Sequence, residues 1–426
     1  MSQQPRSALM SRRRGLAALT VAAVLVAMIS GAAAARLFGS DQRPHLAATT
    51  RPGKQSAART NPSASTPATA SGSAPTSSGR AGLPPVPTPQ VWTPATKQMD
   101  PTGWSSRQLA AVLVMTGAKM GDAAAIEHAA EEGVGGVVLF GPSASNLVAT
   151  LAKARAVAPK GNPSLIASDE EGGQVQRLSS LIYPMPSAEA MGHWSPAKIR
   201  ATARNYALRM KALGVTVALS PDADIAVPGY YIATAHRSFS DDPQQVAVDA
   251  NAWNDGLSAA GVLGVIKHWP GHGQANDTHK AGSIVPPWSV LQRRDLIPFK
   301  SAFVHHAGAV MVGHLRVPGL TEGSWPASES PTALRALRAQ AGPTALIMTD
   351  DLSMAAATTT LGITPAQAAV RSLVAGADVA MVCWAPVDGV ISAVALAIDD
   401  GRLPRHQAVA SANLVLRVKM LVATPR

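Results

Sequence analysis

Cysteine and aromatic residues are scarce in this 426-residue chain: it has one cysteine, and Phe, Tyr and Trp together make up 4%. A single cysteine excludes a disulfide within the chain, so the fold must be held by its core alone. No cysteine lies directly after the N-terminal apolar run, so a lipid-anchored cysteine is not expected. Cys383 lies in the apolar stretch 379–384, where we expect a buried small hydrophobic residue.

Acidic residues are nearly absent from the first 96 positions. That stretch holds ten Lys or Arg and one acid, Asp41, which is +9 of the chain's formal charge of +11. Residues 97–426 are left with +2, so the folded part gives no electrostatic reason to bind nucleic acid. The basic stretch itself could lie against an acidic membrane or wall.

The N-terminal stretch divides into two parts. Three consecutive arginines at 12–14 precede an uncharged run at 15–35, so residues 1–36 are predicted to be a signal peptide or an N-terminal membrane anchor. Residues 37–96 are dominated by Ser, Thr, Pro and Ala, which predicts a disordered linker. Whether residues 1–36 are a signal peptide or an anchor, residues 97–426 are expected outside the cytoplasm, with membrane contact through the N-terminal segment only.

From Trp104 onward, short β-rich runs alternate with Ala-rich stretches of helical spacing. Strands are predicted at 110–115, 135–139, 164–167, 215–219, 262–266, 309–312, 345–348 and 378–382. Helices are predicted at 123–132, 146–158, 196–213, 243–260, 289–306, 331–341, 365–375 and 388–398. Eight such units predict an α/β fold, a single (β/α)8 TIM-type barrel at 97–426. A doubly wound open sheet is the alternative, ranked second because no Gly-x-Gly-x-x-Gly follows the first strand.

Polar residues follow five of the predicted strands. They are Asp169, Glu170 and Glu171 after the third, Asp222 and Asp224 after the fourth, Lys267 and His268 after the fifth, His314 after the sixth, and Asp350 and Asp351 after the seventh. Catalytic groups in such barrels lie at the carboxyl ends of strands. A closed barrel would therefore bring these side chains around one mouth.

The loop at 267–279 concentrates one Lys, three His and one Asp between glycines. Imidazoles in such a loop favour chemistry near neutral pH, although a turn with a few exposed histidines is the simpler alternative. The histidines together with Asp277 could also suggest a metal. Neither His-x-His nor His-Glu-x-x-His is present, so no metal and no cofactor is expected.

Two side chains could carry a hydrolytic reaction. Strand alternation would point Asp350 into the mouth as a nucleophile and turn Asp351 away, to cap a helix that begins near Ser353. Asp277 lies two residues before His279 and could orient its ring as a proton donor. This pair suffices for retaining glycoside hydrolysis, with a histidine in place of the usual second carboxylate. As alternatives, Asp350 and Asp351 could both be helix caps, and His279 could have a structural role only.

Several linked motifs resemble the family 3 glycoside hydrolases, in their bacterial β-N-acetylglucosaminidase branch. The motifs are Lys-His-Trp-Pro-Gly-His-Gly at 267–273 with Asp-Thr-His at 277–279, Thr-Asp-Asp-Leu-Ser-Met at 349–354, Asp-Glu-Glu-Gly-Gly-Gln-Val-Gln-Arg at 169–177, and His-Arg-Ser-Phe at 236–239. The resemblance extends from position 108 to the C-terminus. It implies a (β/α)8 barrel without the second domain of other members, and retaining hydrolysis without metal.

The resemblance also implies roles for individual residues. Asp350 would be the nucleophile and His279 the acid/base, with Asp277 as its partner. The residues that would hold the sugar in the non-reducing-end subsite are Asp169, Arg177, Arg237, Lys267 and His268. As alternatives, the two arginines could pair with acids of their own scaffold, and Lys267 could neutralise Asp169 or Asp224.

Four positions depart from the family pattern: Trp269 stands where Phe is usual, Thr349 where Ser is usual, Glu170 where Gln is common, and Ser220 where Asn is frequent. None of them removes a reacting group. Trp269 and Glu170 are expected to reshape the pocket, so the departures concern substrate preference more than reaction type.

Taken together, the sequence predicts an exported, monomeric, retaining exo-β-N-acetylglucosaminidase. It would hydrolyse terminal β-linked GlcNAc from peptidoglycan fragments or related glycans through a covalent glycosyl-Asp intermediate. Phosphorolysis by the same Asp/His pair is one alternative, since an uncharged histidine would repel phosphate less than a carboxylate does. A catalytically silent wall-glycan-binding protein is the other.

Overall fold

The computed structural model describes residues 99–423, in which eight parallel strands form a barrel. The strands are β1 Val114–Lys119, β2 Gly136–Phe140, β3 Leu165–Ser168, β4 Val217–Ala218, β5 Leu263–Trp269, β6 Ala309–Val312, β7 Leu346–Thr349 and β8 Ala380–Val382. Each of the strands β1 to β6 pairs with the next along the chain, and β8 pairs with β1. A bridge between Met348 and Val379 joins β7 to β8. The predicted (β/α)8 TIM-type barrel is therefore confirmed.

One helix lies on the outside of the barrel after each strand, and a ninth follows. They are α1 Ala123–Glu131, α2 Leu147–Val157, α3 Pro196–Leu213, α4 Pro243–Ala259, α5 Leu296–Val304, α6 Pro331–Ala341, α7 Pro365–Ala375, α8 Val387–Asp399 and α9 Arg405–Ala423. Helices α3, α4, α6 and α7 each begin at a proline that follows a capping Ser, Asp or Thr. Proline suits the first helical turn because its missing N–H has no partner there. The predicted starts of these four helices are correct.

Shorter elements complete the fold. The α-helical ones are Ser106–Val112, Ala188–Met191, Tyr231–Thr234 and Trp288–Leu291, and the 3-10 turns are Pro101–Gly103, Ala327–Glu329, Ala355–Ala357 and Thr359–Leu361. Glu170–Gly172 and Val175–Gln176 form an antiparallel hairpin after β3. Ser283–Ile284 and Leu315–Arg316 form a parallel pair.

Two predicted elements are wrong in part. The predicted strand at 110–115 begins inside the helix Ser106–Val112, because Ser105 and Gln108 form a capping box that starts a helix. The predicted helix at 289–306 is broken before α5, where Pro298 lies in the first turn and has no N–H to continue an upstream helix. Helix α9 was not predicted, since it lies beyond the eighth β/α unit.

The core fills the barrel and the layer beneath the helices. Val265, Ile266, Val310 and Ile347 are fully buried. Continuous apolar strands are expected where both faces of a parallel sheet are covered. Cys383 is buried and unpaired, as predicted.

The N-terminal predictions fall outside the part that the structure describes: the signal peptide or anchor at 1–36 and the linker at 37–96 both belong to residues 1–98. Within residues 99–423, no helix combines the length and apolar character needed to cross a bilayer.

Candidate active site

A cavity of about 180 Å3 opens at the carboxyl ends of the strands. The ends of β2 to β8 each contribute to its wall, through Phe140, Asp169, Leu219, Lys267, Met311, Asp350 and Met381. Of the eight predicted site residues, seven line this cavity: Asp169, Arg177, Arg237, Lys267, His268, His279 and Asp350. The eighth, Asp277, contacts His279 from outside the lining.

The wall contains a buried ionic network centred on Glu171. Arg237 donates from Nε and Nη2 to the two Glu171 oxygens at 2.8 and 2.9 Å, and Lys267 Nζ lies 2.6 Å from Oε1. Burial opposes ionisation of Glu171, but the two cations outweigh it and lower its pKa to about 2. Glu171 therefore holds Arg237 and Lys267 in fixed positions with a full negative charge.

Asp169 lies between two cations at the same wall. Lys267 Nζ donates to its Oδ1 at 3.1 Å, and Arg177 Nη2 lies 3.5 Å from Oδ2. The ion pairs suggested as alternatives are therefore partly correct. Lys267 pairs with Asp169, as suggested, but also with Glu171, and Arg237 pairs with Glu171. Burial lowers the pKa of Lys267, but Glu171 and Asp169 raise it above its usual value.

A second buried cluster fixes His268. Its Nδ1 lies 2.7 Å from Asp224 Oδ2, while Asp224 Oδ1 accepts from the His272 N–H at 2.6 Å. Burial lowers the pKa of His268 to about 4, so its ring is neutral at pH 7. Asp222 Oδ2 lies 3.4 Å from Arg237 Nη2, and burial raises the pKa of Asp222 well above its usual value.

Lys267 and His268 are adjacent, yet both line the cavity. Regular alternation would turn one of them away. The pairing of β5 with β6 shifts register between Ile266 and Trp269, and such irregularities often redirect side chains near active sites. The peptide bond between Lys267 and His268 is cis.

Asp350 enters the cavity directly after β7. Its N–H donates to Val312 O at 2.9 Å, and its Oδ1 accepts from the Asp351 N–H at 2.8 Å. Burial would raise the pKa of Asp350, but the imidazoles of His268 and His314, which are cationic in the acid range where this carboxyl titrates, together with the Asp351 N–H and Lys267, lower it well below its usual range. The carboxylate is therefore ionised at neutral pH.

Asp351 fixes the loop behind Asp350. Its Oδ1 accepts from the N–H groups of Ser353 and Cys383, each at 2.9 Å. The helix expected near Ser353 is instead a turn followed by the 3-10 segment Ala355–Ala357. The Asp351 carbonyl accepts from His314 Nε2 at 2.9 Å, so His314 supports this loop and does not line the cavity.

The His279–Asp277 pair lies on an exposed loop. His279 Nδ1 is 2.8 Å from Asp277 Oδ1, and Lys280 Nζ is 3.2 Å from Oδ2. Partial burial would raise the pKa of Asp277, but these hydrogen bonds lower it, so the carboxylate is ionised and can only accept. His279 therefore carries its proton on Nδ1 towards Asp277, which leaves Nε2 for exchange with a substrate.

Among the described residues, two groups have the composition of a metal site: Asp222, Asp224 and His268 in the mouth, and His128, Glu132 and Asp388 on the surface. In the first group, both Asp224 oxygens already accept hydrogen bonds. In the second, Arg107 lies 2.6 Å from Glu132 and 2.9 Å from Asp388. An ion would have to displace these contacts, so neither group favours a metal.

The expected pocket-shaping roles of Trp269 and Glu170 are not seen. Trp269 is fully buried and packs against Trp288 with ring centroids 5.9 Å apart. Glu170 is also fully buried and accepts from the Ser168 and Tyr206 hydroxyls at 2.6 and 2.7 Å. Neither side chain lines the cavity.

Sequence reasoning missed several residues of the site. Glu171 and Asp222 were noted at strand ends but were given no role, and Asp224 was considered only as a partner of Lys267. The aromatic lining residues Phe140, Tyr231 and Trp384 were not considered as site residues. An ionisable group at a strand end indicates a site, whereas an aromatic residue after an apolar strand gives no such signal.

Comparison with known proteins finds glycoside hydrolases, in agreement with the carboxylate and histidine that line the cavity. The family model described as the glycosyl hydrolase family 3 N-terminal domain matches residues 106–418. The β-hexosaminidase LpqI of Mycobacterium tuberculosis is 39% identical over 252 residues, which cover 57% of this chain and 64% of LpqI. A β-hexosaminidase of Xanthomonas oryzae pv. oryzae is 37% identical over 265 residues, which cover 59% of this chain and 77% of that protein. The chain thus matches slightly less than two thirds of the length of LpqI.

Solved structures share the fold. A family 3 glycosyl hydrolase of Mycobacterium smegmatis superposes with a TM-score of 0.69 at 36% identity, covering 75% of this chain and 98% of that one. A family 3 β-N-acetylglucosaminidase of Paenibacillus sp. gives 0.68 at 28% identity, covering 74% of this chain and 62% of that one.

Proposed function

The chain belongs to glycoside hydrolase family 3, and from this premise we propose that it is a retaining exo-β-N-acetylglucosaminidase. The names of its β-hexosaminidase relatives support a substrate with a terminal β-linked N-acetylhexosamine. The Paenibacillus enzyme supports GlcNAc as that sugar.

One observation carries the proposal: an ionised aspartate and a histidine already oriented by a carboxylate line the same cavity from different loops. In the first step, an Asp350 oxygen bonds to the anomeric carbon while the glycosidic C–O bond breaks. His279 begins this step protonated on both ring nitrogens; it gives the Nε2 proton to the departing oxygen and keeps the Nδ1 proton that faces Asp277. In the second step, His279 removes a proton from water, whose oxygen attacks the anomeric carbon and releases Asp350.

The buried network would hold the sugar during both steps. Asp169, Lys267 and Arg237 offer an acceptor and two cationic donors on one wall, and such groups form strong hydrogen bonds with hydroxyls. Glu171 keeps both cations in place before the substrate arrives, so little reorganisation is needed in the transition state. A cavity enclosed by the ends of seven strands suits the end of a glycan and therefore exo action.

The remaining parts of the proposal concern location. The apolar run at 15–35 would export the protein, and the Pro/Ser/Thr-rich stretch at 37–96 would place the barrel near wall glycans. Peptidoglycan fragments are then the natural substrates, and the enzyme acts as a monomer.

The test is release of nitrophenol from 4-nitrophenyl β-N-acetylglucosaminide by the full chain. Asp350→Asn keeps the shape of the side chain but removes the nucleophile, so kcat should fall at least about 10³-fold. Asp255→Asn, at an exposed position on α4, is the matched control and should retain full activity.

Three outcomes would contradict the proposed hydrolysis by Asp350. A folded parent without turnover would favour the glycan-binding alternative. Equal turnover by the parent and Asp350→Asn would show that another carboxylate attacks. GlcNAc-1-phosphate as the product in phosphate buffer, in place of GlcNAc, would show phosphorolysis.

A further inference from the structure

We infer that Phe140 and Trp384, at the rim of the cavity, form a stacking subsite for the second sugar ring of the substrate, the ring that departs when the bond breaks. This inference rests on the proposed glycosidase function, and it identifies the leaving group as a glycan.

The two aromatic rings form one surface. Phe140 is the last residue of β2 and Trp384 follows β8, and their ring centroids lie 5.0 Å apart with the planes inclined by 46°. Both line the cavity, yet 58% of Trp384 is exposed, whereas Trp253 and Trp269 are almost completely buried. An indole left open beside a catalytic carboxylate is apolar surface available to a ligand.

Hydrogen bonds between loops connect this surface to the loop that carries His279. The Trp384 N–H donates to Ser353 Oγ at 3.0 Å, and Met354, the next residue, lines the cavity. Ala355 N–H donates to the carbonyl of His279 at 3.4 Å. The loops after β8, β7 and β5 thus contact one another in series. Since His279 would protonate the departing oxygen, the ring attached to that oxygen emerges at the same rim.

The aromatic surface at the rim and the ionic network around Glu171, which forms the deep wall of the cavity, differ in chemistry. The deep wall is ionic, with the Lys267 side chain only 3% exposed, and it suits the hydroxyls of the first sugar. The rim offers aromatic faces, which suit the apolar C–H face of a pyranose ring. A β-linked glycan would therefore fill both parts of the cavity at once.

The test compares two substrates with the same first sugar. N,N′-diacetylchitobiose carries a second ring, whereas methyl β-N-acetylglucosaminide does not. Trp384→Ala should lower kcat/KM for the disaccharide about tenfold and leave the methyl glycoside within about twofold, because only the former loses a stacking face. Trp384→Phe keeps an aromatic face and should restore most of the loss. Trp325→Ala, at an exposed tryptophan outside the lining, should change neither substrate.

The outcomes separate this inference from the proposed function. Equal losses on both substrates would mean that Trp384 only supports the loops, and no loss on either would place the second ring elsewhere. Either result overturns the subsite while leaving the glycosidase intact. If the folded parent cleaves neither substrate, the proposed function itself fails.

Discussion

The buried ionic network and the His279–Asp277 pair line or support the same cavity but differ in solvent exposure. The side chains of Glu171 and Lys267 are 2% and 3% exposed, whereas that of His279 is 62% exposed. Removing one member of a buried ion pair leaves an uncompensated charge, whereas an exposed pair contributes little to stability. The network would therefore couple the proposed sugar binding to folding, whereas the exposed pair could serve the proposed reaction without a role in stability.

The largest effect is expected at the network. Glu171→Gln would place an amide NH2 against cationic donors, so the free energy of unfolding should fall by about 3 kcal/mol, and kcat/KM should fall with it. Urea unfolding measures the first quantity. Glu189→Gln, which removes an exposed partner of His236, should change stability by less than about 0.5 kcal/mol. Similar stabilities for the two variants would mean that the network does not support the fold.

The second prediction concerns the exposed pair. Asp277→Asn should lower kcat about 100-fold for methyl β-N-acetylglucosaminide, because an amide carries no charge to stabilise the protonated ring of His279 and its NH2 group can hold the ring in the wrong tautomer. The loss for the nitrophenyl glycoside should be smaller, since nitrophenolate departs with little help from an acid. Stability should not change. Lys280→Gln, which removes the other partner of Asp277, should leave kcat within about twofold. Equal losses on the two substrates would mean that Asp277 does not act through proton donation.

The smallest effect is expected at Glu170, which is buried but outside the cavity. Burial raises its pKa to about 7, above the ordinary value of 4.5. The folded state then binds the proton more tightly than the unfolded state, so stability is lost as pH rises from 4.5 to about 7. Glu170→Gln keeps the neutral state and should stabilise the protein by about 1 kcal/mol at pH 8 but not at pH 4. Thermal unfolding at both pH values tests this, and a gain at pH 4 as large as that at pH 8 would contradict it.

The barrel could be predicted because the β-rich runs, the helical stretches between them and the polar residues at strand ends all indicated eight β/α units around one mouth. Asp350 was found by the strand-end rule, and its position in the cavity follows from its place directly after β7. Glu171 could have been found as well. In an extended segment it shares a face with Asp169, while Glu170 turns away; in the structure Lys267 Nζ contacts both Asp169 and Glu171, whereas Glu170 bonds to Tyr206.

Other features depended on tertiary structure. The irregular pairing of β5 puts Lys267 and His268 in one cavity, and alternation alone cannot foresee that. The apolar run at 110–115 fits a helix as well as a strand, and the capping box upstream decided the outcome. Trp384 gave no signal because its role depends on its contact with Phe140, which lies on a distant strand.

The position of β8 between β7 and β1, where it closes the barrel, has a consequence for biosynthesis. Ala380 of β8 pairs with Val114 of β1, so the ring joins the two ends of the barrel sequence. Contacts between such distant positions form only after the intervening chain has been made and its loop closed. Met348 of β7, two residues before Asp350, bridges to the residue preceding β8. A chain still being synthesised therefore lacks a complete pocket, and the proposed activity begins only when the last strand has docked.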